Sequence, residues 1–302
     1  MTETAVNVKN LSKSYGKIEA VSEVSFFIQE GELFGLIGPD GAGKTTTMRI
    51  LCGLLSFDSG QCQVLNFDVV KQLKAIKKII GYMPQRFSLY PDLTVSENLK
   101  FFADLFQVKP SDREERLNRL LQFSKLAPFQ KRRADQLSGG MKQKLALSCT
   151  LIHTPKLLVL DEPTTGVDPI SRREFWEILH DLKKEGATIL VSTPYMDEAN
   201  QCDRVAMMHR GKILAVDSPQ NISDLFSDHL LEIITDELID TSNQLKTLTE
   251  IKSVQIFGDK IHVTTQEDDQ VIKMIQNNFP GIKSIQMIEP GIEDTFIELM
   301  QR

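Results

Sequence analysis

Long apolar runs are missing from this sequence of 302 residues. No stretch approaches the roughly 18–20 apolar residues that a membrane-spanning helix needs. The amino end, MTETAVNVKNLSKSYG, also has no apolar core of the kind a secretory signal carries. Any connection to a membrane is therefore expected to come through a partner. Cysteine is sparse: Cys52, Cys62, Cys149 and Cys202 form no CxxC pair and have no histidine at metal-ligand spacing. They read as reduced, mostly buried thiols of a cytosolic protein, with no zinc site. What is present is ordinary. Hydrophobic residues at 41% and charged residues at 25% exclude wholesale disorder and collagen-like repeats. The length points to two domains, or to one large domain with an appendage.

The formal net charge of −6 is unevenly spread. Residues 1–220 carry 29 Lys+Arg against 26 Asp+Glu, whereas residues 221–302 carry 6 against 15. The shift follows a turn-rich stretch, Asp217-Ser218-Pro219-Gln220-Asn221, so the domain boundary is expected near 220. An acidic tail domain is a poor match for a phosphate backbone, which disfavours nucleic acid as its partner.

In 1–220, the run AVNVKNL (5–11) alternates, VSEVSFFI (21–28) mixes Val and Phe, and LFGLI (33–37) is continuously apolar. IIGYM (79–83), LLVLD (157–161) and ATILVS (187–192) are further strand-like runs, with a helical pattern from Ser171 to Lys184 between the last two. Buried strands alternating with helices predict an α/β domain with a largely parallel sheet. The interval from about 86 to 155 has helical spacing instead, and Thr94-Val-Ser-Glu97 is a capping-box pattern. It reads as a helical insert. The tail offers strands at 229–234, 253–257, 260–265 and 282–288. Helical stretches run to Glu250, over 268–279 and over 292–300, and Gly258-Asp259 marks a hairpin. That order is β-α-β-β-α-β, a small ferredoxin-like α+β domain, a fold that by itself predicts no function.

Three motifs carry chemistry. The first, Gly38-Pro39-Asp40-Gly41-Ala42-Gly43-Lys44-Thr45-Thr46, contains G-x-x-x-x-G-K-[ST] between a strand and a helix, the pattern of a P-loop. Its backbone N–H groups and the helix N-terminus suit phosphate oxygens. Lys44 reaches the β- and γ-phosphates, and the Thr45 hydroxyl can ligate Mg²⁺. The second is LLVLDE (157–162), a buried strand ending in adjacent carboxylates. Asp161 is placed to hold Mg²⁺ as a Walker-B acid does, and Glu162 to orient or deprotonate an attacking water. The third is Leu137-Ser138-Gly139-Gly140-Met141, about twenty residues before the Walker-B strand.

With these motifs in this order, residues 1–220 resemble the ATPase subunits of ATP-binding-cassette (ABC) transporters, P-loop NTPases whose signature is LSGGQ. The resemblance implies that Tyr15, in SKSYG, stacks on adenine; apart from the resemblance it reads equally as a half-buried core tyrosine. It implies that Gln85, in GYMPQ, touches Mg²⁺ and links the site to the helical insert. Ser138, Gly139 and Gly140 would cap the γ-phosphate of an ATP held by a second cassette. The loop Gly166-Val167-Asp168 would cross the dimer interface. The implied assembly is a head-to-tail dimer with two ATP molecules between the cassettes. The segment Phe87-Ser88-Leu89-Tyr90-Pro91-Asp92-Leu93 lies where family members receive the coupling helix of a membrane permease, although an ordinary apolar loop would look the same.

Two positions depart from the family. Its switch histidine belongs in a run like S-T-H-x-M-D-E-A, where this chain reads Ser192-Thr193-Pro194-Tyr195-Met196-Asp197-Glu198-Ala199. Proline has neither a side-chain donor nor an N–H. None of His153, His180, His209, His229 and His262 stands there; His153 and His209 read as helix-end and strand-end residues. Met141 replaces the signature's glutamine, and a thioether cannot donate as an amide does. A homodimer would place both departures in each composite site, whereas a heterodimer with an intact cassette would separate them.

The tail, ending Gly291-Ile-Glu-Asp-Thr-Phe-Ile-Glu-Leu, resembles the small C-terminal domain of drug- and lipid-exporter ATPases. The leading expectation is thus an ATP-hydrolysing subunit that powers a separately encoded permease from the cytoplasmic face. A regulatory cassette that closes on ATP but barely hydrolyses it, because of Pro194, is the alternative. A soluble ABC-type ATPase acting on nucleic acid or ribosomes fits less well: such relatives tend to carry two cassettes or coiled-coil insertions.

Overall fold

A computed structural model describes residues 3–86, 89–266 and 269–301. Phe87 and Ser88, in the expected docking segment, lie outside the described residues. The chain divides into two compact units, one reaching Pro219 and the other beginning at Gln220.

The first unit opens with β1 (Thr4–Tyr15), β2 (Ile18–Gln29) and β3 (Leu33–Ile37), followed by α1 (Lys44–Leu51). Next come β4 (Ser59–Val64), β5 (Phe67–Asp68), α2 (Leu73–Ile79) and β6 (Ile80–Met83). Three helices then form the insert: α3 (Val95–Leu105), α4 (Pro110–Phe123) and α5 (Gly139–Leu151). The unit closes with β7 (Leu157–Asp161), α6 (Pro169–Lys184), β8 (Thr188–Thr193), β9 (Arg204–His209) and β10 (Lys212–Asp217), before a short α7 (Pro219–Ser223) at the boundary.

The strands make two sheets where the sequence pattern suggested one largely parallel sheet. The six-stranded sheet has the order β10-β9-β3-β8-β7-β6, with every pairing parallel except that of the edge strand β10. β3, β7 and β8 are buried along their whole length, which explains their continuous apolar runs. β1 and β2 belong instead to a separate antiparallel sheet, order β2-β1-β4-β5. The reason is legible in their alternation, which suits strands with one covered face. The two sheets share one core, in which Phe26 of β2 stacks on Phe34 of β3 at 5.5 Å. β4, β5, α2, β9 and β10 had no distinct signal in the sequence reading.

The insert has its own core of Val95, Leu99, Leu117, Leu121, Leu145 and Cys149. The capping box is present: the Thr94 hydroxyl accepts from the N–H of Glu97, and the Glu97 carboxylate accepts from the N–H of Thr94. Asn98, fully buried, fastens the preceding loop. Its amide donates to the carbonyls of Tyr90, Leu93 and Thr94, and its oxygen accepts the N–H of Tyr90.

The second unit contains β11 (His229–Thr235), α8 (Leu238–Leu245), β12 (Ile251–Phe257), β13 (Lys260–Thr265), α9 (Asp269–Asn278), β14 (Ile282–Ile288) and α10 (Ile292–Gln301). Its antiparallel sheet runs β12-β13-β11-β14. α8 ends at Leu245, short of the Glu250 that the sequence pattern suggested. Cross-strand neighbours Glu232, His262 and Gln286 form a polar row on this sheet. Glu232 accepts from Lys260 and Gln286, and Lys260 holds its carboxyl below the usual range. The imidazole Nδ1 of His262 lies 2.7 Å from Asp294.

Replacing Asn98 by leucine would keep its volume but leave the N–H of Tyr90 without an acceptor and take the second donor from three carbonyls. Asn98→Leu is expected to destabilise the fold by about 1–3 kcal/mol, read as a lower urea midpoint. An unchanged midpoint would show that the loop does not depend on this amide.

Candidate functional site

The site begins where β3 ends. The segment 38–43 turns tightly and feeds α1, and two of its glycines are required by close approach. A Cβ on Gly38 would stand 2.1 Å from the carbonyl oxygen of Met208. One on Gly43, at φ 107°, would stand 2.4 Å from that of Ala20. Only glycine lets the loop nest against β2 and β9 in this way. The first N–H groups of α1 have no intrahelical acceptor, and they open with Ala20, Gly41 and Ala42 onto a cavity of about 230 Å³. Gly43, Lys44, Thr45, Thr46 and Glu162 complete its lining. Asp40 is exposed at the loop's tip, and Pro39 is half-buried.

Lys44 is only 3% exposed, yet its ammonium is fully partnered. It donates to the carbonyls of Gly38 at 2.7 Å and Pro39 at 3.0 Å, and pairs with Glu162 at 3.2 Å. The adjacent carboxylates part at the end of β7. Asp161 turns to the P-loop threonine and accepts from the hydroxyls of Thr45 at 3.0 Å and Ser192 at 2.8 Å. Glu162 has a left-handed backbone, φ 48°. This conformation is uncommon for a side-chain-bearing residue, and it sends the carboxylate the other way. There it accepts from Gln85 Nε2 at 2.8 Å and Thr165 Oγ1 at 3.3 Å. Its own N–H donates to Ser192 Oγ at 3.0 Å.

Lys44, Thr45 and Glu162 therefore line one cavity, with Asp161 bonded to Thr45 and Gln85 bonded to Glu162 behind them. Gln85 stands on Glu162, not on the Thr45–Asp161 pair. Thr45 and Asp161 offer hard oxygen donors of the type magnesium takes, and the Gln85 amide oxygen is a further one of that kind. Tyr82, unremarked in the sequence, brings its hydroxyl to 3.5 Å from Asp161. Burial and that carboxylate push its phenol up to about 12, so it stays protonated. Ser192 was likewise missed: its only signal was a place in the Ser-Thr run before the departed switch residue.

The other expected residues lie apart. Tyr15 is 48% exposed on the β1–β2 hairpin, with the Lys13 ammonium 5.8 Å from its ring. Ser138 caps α5, its hydroxyl accepting the N–H of Met141. Gly139 is exposed, and Gly140 packs so closely on α6 that a Cβ would meet Ser171 at 2.4 Å. The nearest neighbours of these two glycines are Gly166, Val167 and Ser171, not the P-loop.

In the switch segment the Thr193 hydroxyl is already engaged. The Thr193 hydroxyl donates to Glu198 at 2.5 Å and accepts the N–H of Tyr195. The Tyr195 ring lies under the Arg172 guanidinium at 4.2 Å. His153 stacks on Phe106 beyond the end of α5 and contacts the carbonyl of Ile80; burial lowers its pKa. The four cysteines are free and buried, and desolvation pushes Cys62 up to about 12. No helix among the described residues is long and apolar enough to cross a membrane.

Comparison with known proteins agrees with this geometry. The ABC transporter family matches residues 21–165. The chain is 49% identical over 225 residues to "Probable multidrug ABC transporter ATP-binding protein YbhF" of Escherichia coli K12, which covers 74% of this chain but 39% of that protein. It thus spans about two fifths of that relative. It is 35% identical over 306 residues to "Nod factor export ATP-binding protein I" of Rhizobium etli, covering 100% of this chain and 95% of the relative. Among solved structures, cbiO1 from Clostridium perfringens, part of the ABC transporter complex cbiONQ, superposes with a TM-score of 0.68 at 26% identity, over 73% of this chain and 90% of its own. The ATP-binding cassette MJ0796, in a dimeric post-hydrolysis state with ADP and Pi, gives 0.64 at 27% identity, over 70% and 98%.

Two substitutions test the site. Lys44→Ala removes the one buried ammonium on the cavity wall, so ATP affinity should fall about tenfold to a hundredfold in equilibrium binding with labelled ATP. Undiminished affinity would sink the assignment. Glu162→Gln keeps the shape but removes a proton acceptor. ATP should still bind while phosphate release becomes undetectable, and wild-type turnover in that variant would strip Glu162 of its role.

Proposed function

Because the chain belongs to the ABC transporter family of ATP-binding proteins, we propose that it is the ATP-hydrolysing subunit of an exporter, working with a separately encoded permease. The observation that carries this reading is the meeting of Lys44, Thr45 and Glu162 at one P-loop cavity, with Asp161 bonded to Thr45 and Gln85 to Glu162. Export, not import, rests on full-length similarity to proteins named for Nod factor export. The sheet order of the second unit supports its reading as a ferredoxin-like accessory domain covering 221–302, after a cassette over 1–220.

The N–H groups of residues 41–46 and the Lys44 ammonium bind the phosphates. On binding, Lys44 exchanges its bond to Glu162 for phosphate oxygens, which frees that carboxylate. Glu162 then accepts a proton from water as the water oxygen attacks the γ-phosphorus and the bond to the leaving β-phosphate oxygen breaks. Gln85 holds Glu162 and links it to the insert. Magnesium, held by Thr45 and Asp161 with Gln85 nearby, would neutralise phosphate charge during the transfer. Tyr15 is free to stack on a base. Ser138, Gly139 and Gly140, remote from this chain's own P-loop, suit the nucleotide of a second cassette, whether a copy of this chain or a different one. The groove of Gln85, Arg86, Leu89, Pro91 and Ala134 suits a permease segment. On this reading the protein works at the cytoplasmic face of the membrane, with a permease and not nucleic acid as its partner.

One observation favours the slower, regulatory reading. Pro194 has no donor, and the hydroxyl before it is already bound. Phosphate release by the protein with its permease, recovered by pull-down from membranes, decides between the two: multiple turnovers support the transporter ATPase, and none supports the regulatory cassette.

Pro194→His would add a donor where the family places one. With Thr193 occupied by Glu198, kcat should rise about tenfold or more with little change in KM, since such a contact acts in the transition state. Steady-state kinetics of the assembled transporter measures this. An unchanged kcat would show that Pro194 does not limit chemistry.

A further inference from the structure

Glu198 is a carboxylate only 3% exposed that no step above uses. Its two oxygens collect donors from three elements. The Thr164 hydroxyl, just beyond the Walker-B strand, reaches them at 2.9 and 3.1 Å. The Thr193 hydroxyl, at the end of β8, reaches Oε2 at 2.5 Å. Arg172, one turn into α6, donates Nε to Oε1 at 3.1 Å and pairs through Nη2 at 3.0 Å. Thr164 and Thr193 are themselves buried. A buried charge with this many partners is costly to disturb, and one of those partners, Thr164, stands two residues after Glu162.

We propose that Glu198 and Arg172 form a positioning pair for hydrolysis, fastening the Glu162 loop and the P-loop's backing strand to the start of α6. The connections are short. Next to Thr164, Thr165 donates to Glu162. The carbonyl of Thr193 accepts the N–H of Gly38 at 3.3 Å. On the other side, the N–H of Arg172 bonds to the carbonyl of Asp168, whose side chain caps α6. Ser171 of the same turn packs against Gly140 of α5. A shift at the start of α6 therefore reaches Glu162 through Arg172, Glu198 and Thr164, without any of the three touching the phosphates. Neither residue has a role in the P-loop cavity, whose lining includes neither of them. The pair acts on the placement of the attacking water's acceptor, not on nucleotide affinity.

The inference rests on the proposed hydrolysis. Wild-type phosphate release, lost in Lys44→Ala, tests that reading separately. Within it, Glu198→Gln preserves shape but removes the charge that Arg172 pairs with, and Thr164→Val removes one donor with little change in volume. In the assembled transporter, each variant should lose about tenfold to a hundredfold in kcat, as small misplacements of reacting groups do. KM and labelled-ATP affinity should stay within about twofold, while thermal midpoints should fall, because each variant removes a partner from a buried network. Arg172→Lys should retain more turnover than Arg172→Met. The double variant Glu198→Gln with Thr164→Val should lose less than the product of the two single losses, because both act through one contact. Wild-type kcat in both single variants would overturn the proposal. So would parallel loss of ATP affinity and turnover in Thr164→Val, which would make the network merely structural.

Discussion

The buried ammonium of Lys44 constrains everything around it. A charge with 3% exposure is tolerable only if each of its three N–H groups has a partner. Two are carbonyls of its own loop, which fixes the path of Gly38 and Pro39. The third is Glu162, at the end of a strand two positions away in the sheet. The order β3-β8-β7 sets that separation, and the left-handed turn at Glu162 closes it. A phosphate group would satisfy the same ammonium with a stronger charge, so its arrival would release Glu162. Storage and release of the carboxylate thus follow from one electrostatic requirement.

The two adjacent acids of the Walker-B strand divide their work because of backbone geometry. Both are buried and one residue apart, yet they face different donors. Asp161 continues the strand and meets hydroxyls from α1 and β8. Glu162, bent into the left-handed region, meets an ammonium and an amide. Ser192 serves both, donating to Asp161 and accepting from the N–H of Glu162. It therefore locks the angle between them. The replacement at Pro194 leaves this arrangement whole and removes only a donor near it.

The second unit shows a different economy of charge. Its sheet carries Glu232 and His262 as cross-strand neighbours, with Lys260 and Asp294 as their partners. Four acidic or basic groups on one sheet face remain tolerable because they pair. The opposite face of the same sheet is apolar and built on Leu231, Ile233, Val254 and Val263.

The motifs themselves were readable in the sequence. The P-loop, the Walker-B acids and the signature depend on local spacing: the first joins a strand to a helix, the second ends a buried strand and the third opens a helix. The capping box at Thr94 and the buried runs of β3, β7 and β8 belong to the same class, because a chain's own neighbours decide them. Tertiary structure alone decided the rest. No spacing indicates that Gln85, 77 residues before Glu162, rests on that carboxylate, or that Glu198 gathers hydroxyls from a loop and a strand end and a guanidinium from a helix. The separation of β1 and β2 into their own sheet was also hidden, since alternation reveals a covered face but not which strand lies beside it. Hydrogen-bond partners brought together across a sheet are set by strand order, and strand order is a property of the packed core.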